Sequence, residues 1–549
     1  MIMKISLKCL LFYFIIIVLT GCSMKERTDL LLLNAGKIYS VDDQNHTFEA
    51  IAVKDGKIQA IGSSEELSAR YSSENVIDAS GQFLYPGFID AHCHFIGYAN
   101  NLKYIDLAGS ISYEEVLNRL EKSEPLASGE WLVGRGWDQN LWSDKKFPDK
   151  TELDLLYPSR PVMLIRIDGH AVLANQEALN RAGIFKSHRF RSGEVEMVDG
   201  RLSGILTENA ADLMRSTVPE PDLRETIQLL ERAQQLCFAA GLTSVSDAGM
   251  DYHDVLLIDS LQKQGILKMH IYAMLNPTSS NFEGFIRKGV FCTDHLMVRS
   301  VKLYADGSLG SRTALLKKPY TDDPSKTGIL VNTADSMRAV VQFALLHGYQ
   351  VNTHAIGDSA VRMVLDIYGS ALKSQNDLRW RIEHAQVVDP KDTILFARYS
   401  IIPSIQATHA TSDMTWAEDR LGQERLNGAY AYQTLLRQNG WLANGTDFPI
   451  ENISPILTFY AAVSRKDLAG KPVNGFRMKD ALSREEALRS ISIWAARANF
   501  CEPQMGSLEV GKEANIVILD RDIMTIPISD VPKTNVLNTY RKGQKVYPK

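Results

Sequence analysis

The chain has 549 residues, of which 45% are hydrophobic, 23% charged and 8% aromatic. That balance excludes a disordered, collagen-like or coiled-coil protein, each of which needs a strong compositional bias. A formal charge of −5 excludes a broad basic face for nucleic acid, and a mean hydropathy of −0.14 excludes a polytopic membrane protein.

The first 23 residues read as an export signal. Lys4 and Lys8 precede an unbroken apolar run from Cys9 to Leu19. That run is too short to span a bilayer, which takes about 20 residues, and suits the apolar region of a signal peptide. Leu19-Thr20-Gly21-Cys22 resembles a bacterial lipobox. The expectation is that residues 1–21 are discarded and that lipidated Cys22 anchors the protein at a membrane. The body would then face the periplasm or the cell exterior; an uncleaved anchor is the plainer alternative. Cys93, Cys237, Cys292 and Cys501 are widely spaced without a CxxC pair, so they read as four free, buried thiols rather than a disulfide framework.

Residues 29–85 hold short strand patterns, with Asp55-Gly56 between two alternating runs as a hairpin signal. Similar patterns return in ANIVILDRD and TYRKGQKVYPK. Both chain ends are therefore expected to form one small β-sandwich, from 22–85 and 501–549. Between them, residues 86–500 alternate strands with amphipathic helices. The strand candidates are FLYPGFIDAH, GLTSVSDAG, KMHIYAML, MVRSVKLYADG, YQVNTHAIGD, RWRIEHAQ, YSIIPSIQ and NGWLANGTD. Eight such units predict an α/β fold, a (β/α)8 TIM barrel. The stretch from about 100 to 230 is too long for a loop and predicts an ordered insertion after the first barrel strand.

Polar residues gather at the ends of these strands. His92 and His94 stand two apart and so share one strand face. His354, His384 and Asp447 each end a later strand. A barrel brings such ends to one face, although each residue alone also fits a buried histidine or a capping aspartate. Lys302 interrupts an apolar strand shortly before Asp306. It reads either as half of a buried ion pair or as a neutral amine that could add carbon dioxide and bridge two metals.

PGFIDAHCHF, KLYADGSLGSRTA, NTHAIGD, RIEHAQ and ANGTDFP together resemble the amidohydrolase superfamily, closest to its N-substituted formamide deformylase-like branch. The resemblance runs from about residue 29 to 549. It implies that His92, His94 and Asp447 hold one divalent ion, that His354 and His384 hold a second, and that carboxylated Lys302 bridges them. It implies one or two ions per chain, with Zn²⁺ suited to these ligands. The implied reaction is hydrolysis of a non-peptide C–N bond in a small amide, N-substituted formamide or cyclic amide, by a metal-activated hydroxide with Asp447 as acid–base catalyst. The resemblance also brings Trp137, Asp138, His170, Arg312 and His409 toward substrate, against plain readings as packing or ion-pair residues. A mononuclear deaminase or cyclic-amide hydrolase, and an inactive exported binding lipoprotein, are the competing readings. No Glu follows His354 where such a deaminase usually places its general acid, and the ligand set is complete.

Overall fold

The computed structural model describes residues 25–123, 130–166, 171–185 and 195–548. Near the start of these, Ala50–Lys54 and Lys57–Gly62 form the hairpin that the sequence predicts. Its two turn residues, Asp55 and Gly56, have φ of +53° and +74°. Both central residues of such a two-residue turn take positive φ, which favours Asp-Gly there.

The two chain ends fold together. Phe83–Pro86 pairs antiparallel with Ile516–Leu519, which pairs in turn with Val536–Arg541 in a six-stranded sheet. A four-stranded sheet is built from Leu30–Leu33, Ala50–Lys54, Lys57–Gly62 and Val76–Asp78. Leu30, Leu32, Ile51 and Val53 from the smaller sheet share one apolar core with Ile38, Leu84, Ile516 and Ile518 from the larger. Alternation along each strand supplies those inward residues.

All eight predicted barrel strands are present. We label them β1 (Phe88–Cys93), β2 (Leu242–Met250), β3 (His270–Leu275), β4 (Leu296–Tyr304), β5 (Gln350–Ala355), β6 (Arg381–His384), β7 (Ile402–Ile405) and β8 (Ala443–Asn444). They pair in parallel in chain order, giving a nearly closed barrel. Parallel strands are covered on both faces, which is why even the polar strands Gln350–Ala355 and Arg381–His384 are almost wholly buried.

The ladder ends at β8, and the seam between β8 and β1 is closed differently. The Asp447 amide donates to the His92 carbonyl at 2.8 Å. The Asp90 carboxylate accepts from the Thr446 hydroxyl at 2.7 Å and from the Thr446 and His92 amides. Gly445 permits this approach, because a Cβ there would lie 2.4 Å from the His92 nitrogen.

The insertion has its own six-stranded sheet. Its strands run in the order Ile105–Asp106, Leu132–Trp137, Val162–Arg166, Ala171–Ala174, Arg201–Thr207 and Val195–Val198. Separate apolar clusters draw on this sheet, one around Val172 and Leu206 and the other around Leu164 and Leu173. The thiols need one correction: Cys93, Cys237 and Cys501 are buried as expected, but Cys292 is exposed.

Candidate metal centre

Strand alternation builds the centre from β1 and β6. In β1, Asp90 and His92 face one way. Cys93 faces the other, where its thiol donates to the Ser246 carbonyl at 3.4 Å. In β6, Arg381 and Glu383 share a face, so strict alternation would turn His384 away from it. The backbone breaks that rule: His384 and Ala385 have φ of +71° and +42°. Adjacent residues Glu383 and His384 can therefore both serve the site. Asp447, just after β8, is left-handed too, with φ of +64°. Such conformations cost on the order of 1–3 kcal/mol per residue and persist where the surroundings fix them.

His92, His384 and Asp447 are buried, and one potential ligand atom from each lies within 4.8 Å of the others. The His92 and His384 rings are 5.0 Å apart, and the His354 and His384 rings 4.6 Å apart. His92 Nε2 sits 3.5 Å from Asp447 Oδ1 and 3.3 Å from Lys302 Nζ. Its other nitrogen, Nδ1, lies 2.6 Å from Glu383 Oε2. His409 follows β7, and its Nε2 is 3.0 Å from Asp447 Oδ2 while its Nδ1 is 3.4 Å from Glu451 Oε1.

The electrostatics follow from burial and from these partners. Burial and the neighbouring Lys302 charge lower the pKa of His92. Burial pushes His384 well below its ordinary value and His354 down to about 3. All three imidazoles are therefore neutral, the form that ligates a metal. Burial also brings the Lys302 amine down to about 8 against the pull of Glu383 and Asp447. His409 behaves oppositely. Burial lowers it, but its hydrogen bonds to Asp447 and Glu451 outweigh that and carry it up to about 10.

The other predicted residues divide into several groups. His354 joins the centre at the end of β5, with Nε2 3.3 Å from the Gly307 carbonyl. His94 opens the inserted unit as the N-cap residue of the helix Phe95–Asn101. Trp137 corrects the substrate-contact expectation: its indole is 1% exposed, and its N–H donates to the Leu164 carbonyl within the insertion's core. Asp138 caps the following turn and pairs with Arg166 at 3.0 Å. Arg312 is likewise engaged, donating twice to Asp322, a carboxylate also bound by Arg420. Lys302 does not pair with Asp306, whose carboxylate accepts from the Leu315, Ile356 and Gly357 amides. His170 and Cys22 lie outside the described residues.

Sequence reasoning passed over Glu383, Asp90 and Glu451. For Glu383 a signal was available, since a carboxylate two residues after an arginine inside a four-residue buried strand needs a partner within the barrel.

Two neutral imidazoles and a carboxylate, all buried, form a donor set for a divalent ion such as Zn²⁺. His384 Nδ1 supports the fit: it is buried and has no hydrogen-bond partner among the described residues. Such a group at the C-terminal strand ends of a (β/α)8 barrel is placed where active sites of this fold lie and suits metal-dependent chemistry.

The comparisons agree with that class. The chain belongs to the amidohydrolase family, whose sequence profile matches residues 75–547. It is 30% identical to YtcJ of Bacillus subtilis (strain 168) over 526 residues, covering 94% of this chain and 99% of that protein. It is 27% identical to the N-substituted formamide deformylase of Arthrobacter pascens over 552 residues, covering 95% and 98% of the two. An uncharacterized metal-dependent hydrolase of Pyrococcus furiosus superposes with a TM-score of 0.73 at 30% identity, covering 90% of this chain and 100% of that one.

Proposed function

We propose that the protein hydrolyses a non-peptide C–N bond in a small amide, N-substituted formamide or cyclic amide. The observation that carries this reading is the His92–His384–Asp447 group with His409 held against Asp447. The formamide deformylase among its relatives supports the choice of bond. His92, His384 and Asp447 would hold a divalent ion, Zn²⁺ foremost, with His354 and Lys302 available to it or to a second. When bound, such an ion supplies a Lewis acid for the scissile carbonyl and for water at neutral pH.

The rest is the work of the chain's own side chains. His409, charged at neutral pH, donates from Nε2 to Asp447 Oδ2 and orients that carboxylate. Asp447 can then take a proton from the attacking water and return it to the leaving nitrogen. The Lys302 amine, made partly neutral by burial, can add carbon dioxide: its lone pair bonds Nζ to carbon, one C=O π pair moves onto oxygen, and a proton passes from nitrogen to solvent. The resulting carbamate offers two hard oxygens where a second ion would sit.

Metal counting on the purified protein, with turnover on a panel of amides and formamides, tests this reading. The bridged site predicts about two ions per chain and fewer in Lys302→Ala. One ion in both proteins assigns a mononuclear centre. Absence of metal with retained turnover removes the metal-dependent mechanism.

We further propose that the protein is exported and anchored through a lipid on Cys22, with the Lys4 and Lys8 flank and the apolar run as support. Cys22→Ser is then expected to move the protein from the membrane fraction to the soluble fraction. Continued sedimentation with membranes would reject the lipobox.

A further inference from the structure

We propose that Glu383 is a positioning residue for His92: it fixes the imidazole proton on Nδ1 and thereby presents Nε2 to the metal. The inference rests on the metal-dependent reading above and adds a specific role to a residue outside the ligand set.

The geometry carries it. The His92 Nδ1–Glu383 Oε2 distance is 2.6 Å, and both side chains are fully buried. An ionised carboxylate can only accept, so the proton in this contact belongs to Nδ1. The lone pair of the neutral ring then resides on Nε2. That atom faces the centre, 3.5 Å from Asp447 Oδ1 and 3.3 Å from Lys302 Nζ. The opposite tautomer would point an N–H at the position where an ion needs an electron pair.

Glu383 also has a buried charge neighbour on its own strand. Arg381, two residues earlier on the same strand face, approaches Glu383 Oε1 at 4.0 Å. Its guanidinium donates to the Ala91 and Ala498 carbonyls and to Asn499 Oδ1. A column of buried groups thus runs from residues 498–499 through Arg381 and Glu383 to His92. Partners of this kind orient a ligand and raise its basicity, and removing one typically costs 10–100-fold in metal affinity.

The test measures Zn²⁺ affinity by chelator competition on metal-free wild type, Glu383→Gln and Glu383→Ala. Glu383→Ala is expected to bind Zn²⁺ about 10–100-fold more weakly. Glu383→Gln, whose amide oxygen can still accept from Nδ1–H, should recover much of the loss. A purely structural carboxylate would lower the unfolding temperature of the metal-free protein yet leave Zn²⁺ affinity unchanged, and that result overturns the proposal. So does a Glu383→Gln that binds no better than Glu383→Ala. Should the variants fail to fold, ¹⁵N-histidine NMR of the metal-free wild type reads the same assignment directly. His92 protonated at Nδ1 supports it, and His92 protonated at Nε2 overturns it. A wild type that binds no Zn²⁺ would instead refute the metal-dependent reading, while the NMR result still decides the role of Glu383.

Discussion

Asp447→Asn is expected to lower kcat/KM by about 10²- to 10⁴-fold, the span associated with loss of a general acid–base group. The substitution keeps the shape of the side chain but exchanges one oxygen for an amide NH₂. If that NH₂ faces His409 Nε2, which stands 3.0 Å from Asp447 Oδ2, two donors meet. If it turns the other way, it points a donor at the His92 Nε2 lone pair, 3.5 Å from Asp447 Oδ1, where an ion would need that electron pair. Neither orientation leaves a group that can take up and return a proton at neutral pH. The remaining amide oxygen can still ligate, so metal content should fall far less than turnover. Activity on the amide and formamide panel, with metal content measured on the same samples, separates the two effects. Equal turnover in the variant and the wild type would remove Asp447 from the chemistry.

Arg381→Ala should produce the largest loss of stability, on the order of 3–5 kcal/mol, as expected when one partner of a buried charge pair is removed. The guanidinium is fully buried, with its donors on the Ala91 and Ala498 carbonyls and Asn499 Oδ1. It also lies over the Tyr272 ring, 5.4 Å from the centroid. Truncation removes one donor from each of these acceptors, of which the Ala498 carbonyl keeps Gln350 and Asn499 Oδ1 keeps Ser246, takes a compensating charge from Glu383 and opens a space inside the barrel. Urea unfolding should show an earlier first transition, because a chain with several compact parts need not unfold in one step. Arg381→Lys keeps the charge but cannot reproduce the planar fork and should recover only part of the loss. An unchanged first transition in Arg381→Ala would show that the column beneath His92 contributes little to the barrel.

The barrel was legible because its chemistry repeats. Most of the eight strands carry apolar residues between turn signals, and burial on both faces of the parallel sheet writes that pattern into the sequence. The candidate ligand histidines were legible because they stand at the ends of such strands. Glu383 was hidden by the alternation rule itself, since a reader who sends His384 to the centre sends its neighbour away. Only the left-handed backbone at His384, φ +71°, reconciles the two, and no glycine marks it. Trp137 misled in the opposite sense: its polar surroundings in GRGWDQNLW suggest a pocket wall, yet its N–H finds a backbone carbonyl across the sheet at 3.0 Å. Arg312 has its carboxylate partner ten residues ahead, at Asp322, a separation that sequence spacing alone does not turn into a contact.

The seam between β8 and β1 joins two candidate metal ligands through residues that are not ligands themselves. Elsewhere the strand ladders fix how far apart neighbouring strands stand. Here the join is more like a buckle on a belt, fastened by Asp90 and Thr446 with Gly445 lying flat beneath. His92 sits on one side of the buckle and Asp447 on the other. Any side chain at 445 would meet the His92 backbone at 2.4 Å and force the two sides apart. The fastening therefore bears on the distance between His92 and Asp447 although none of its residues belongs to the candidate ligand group.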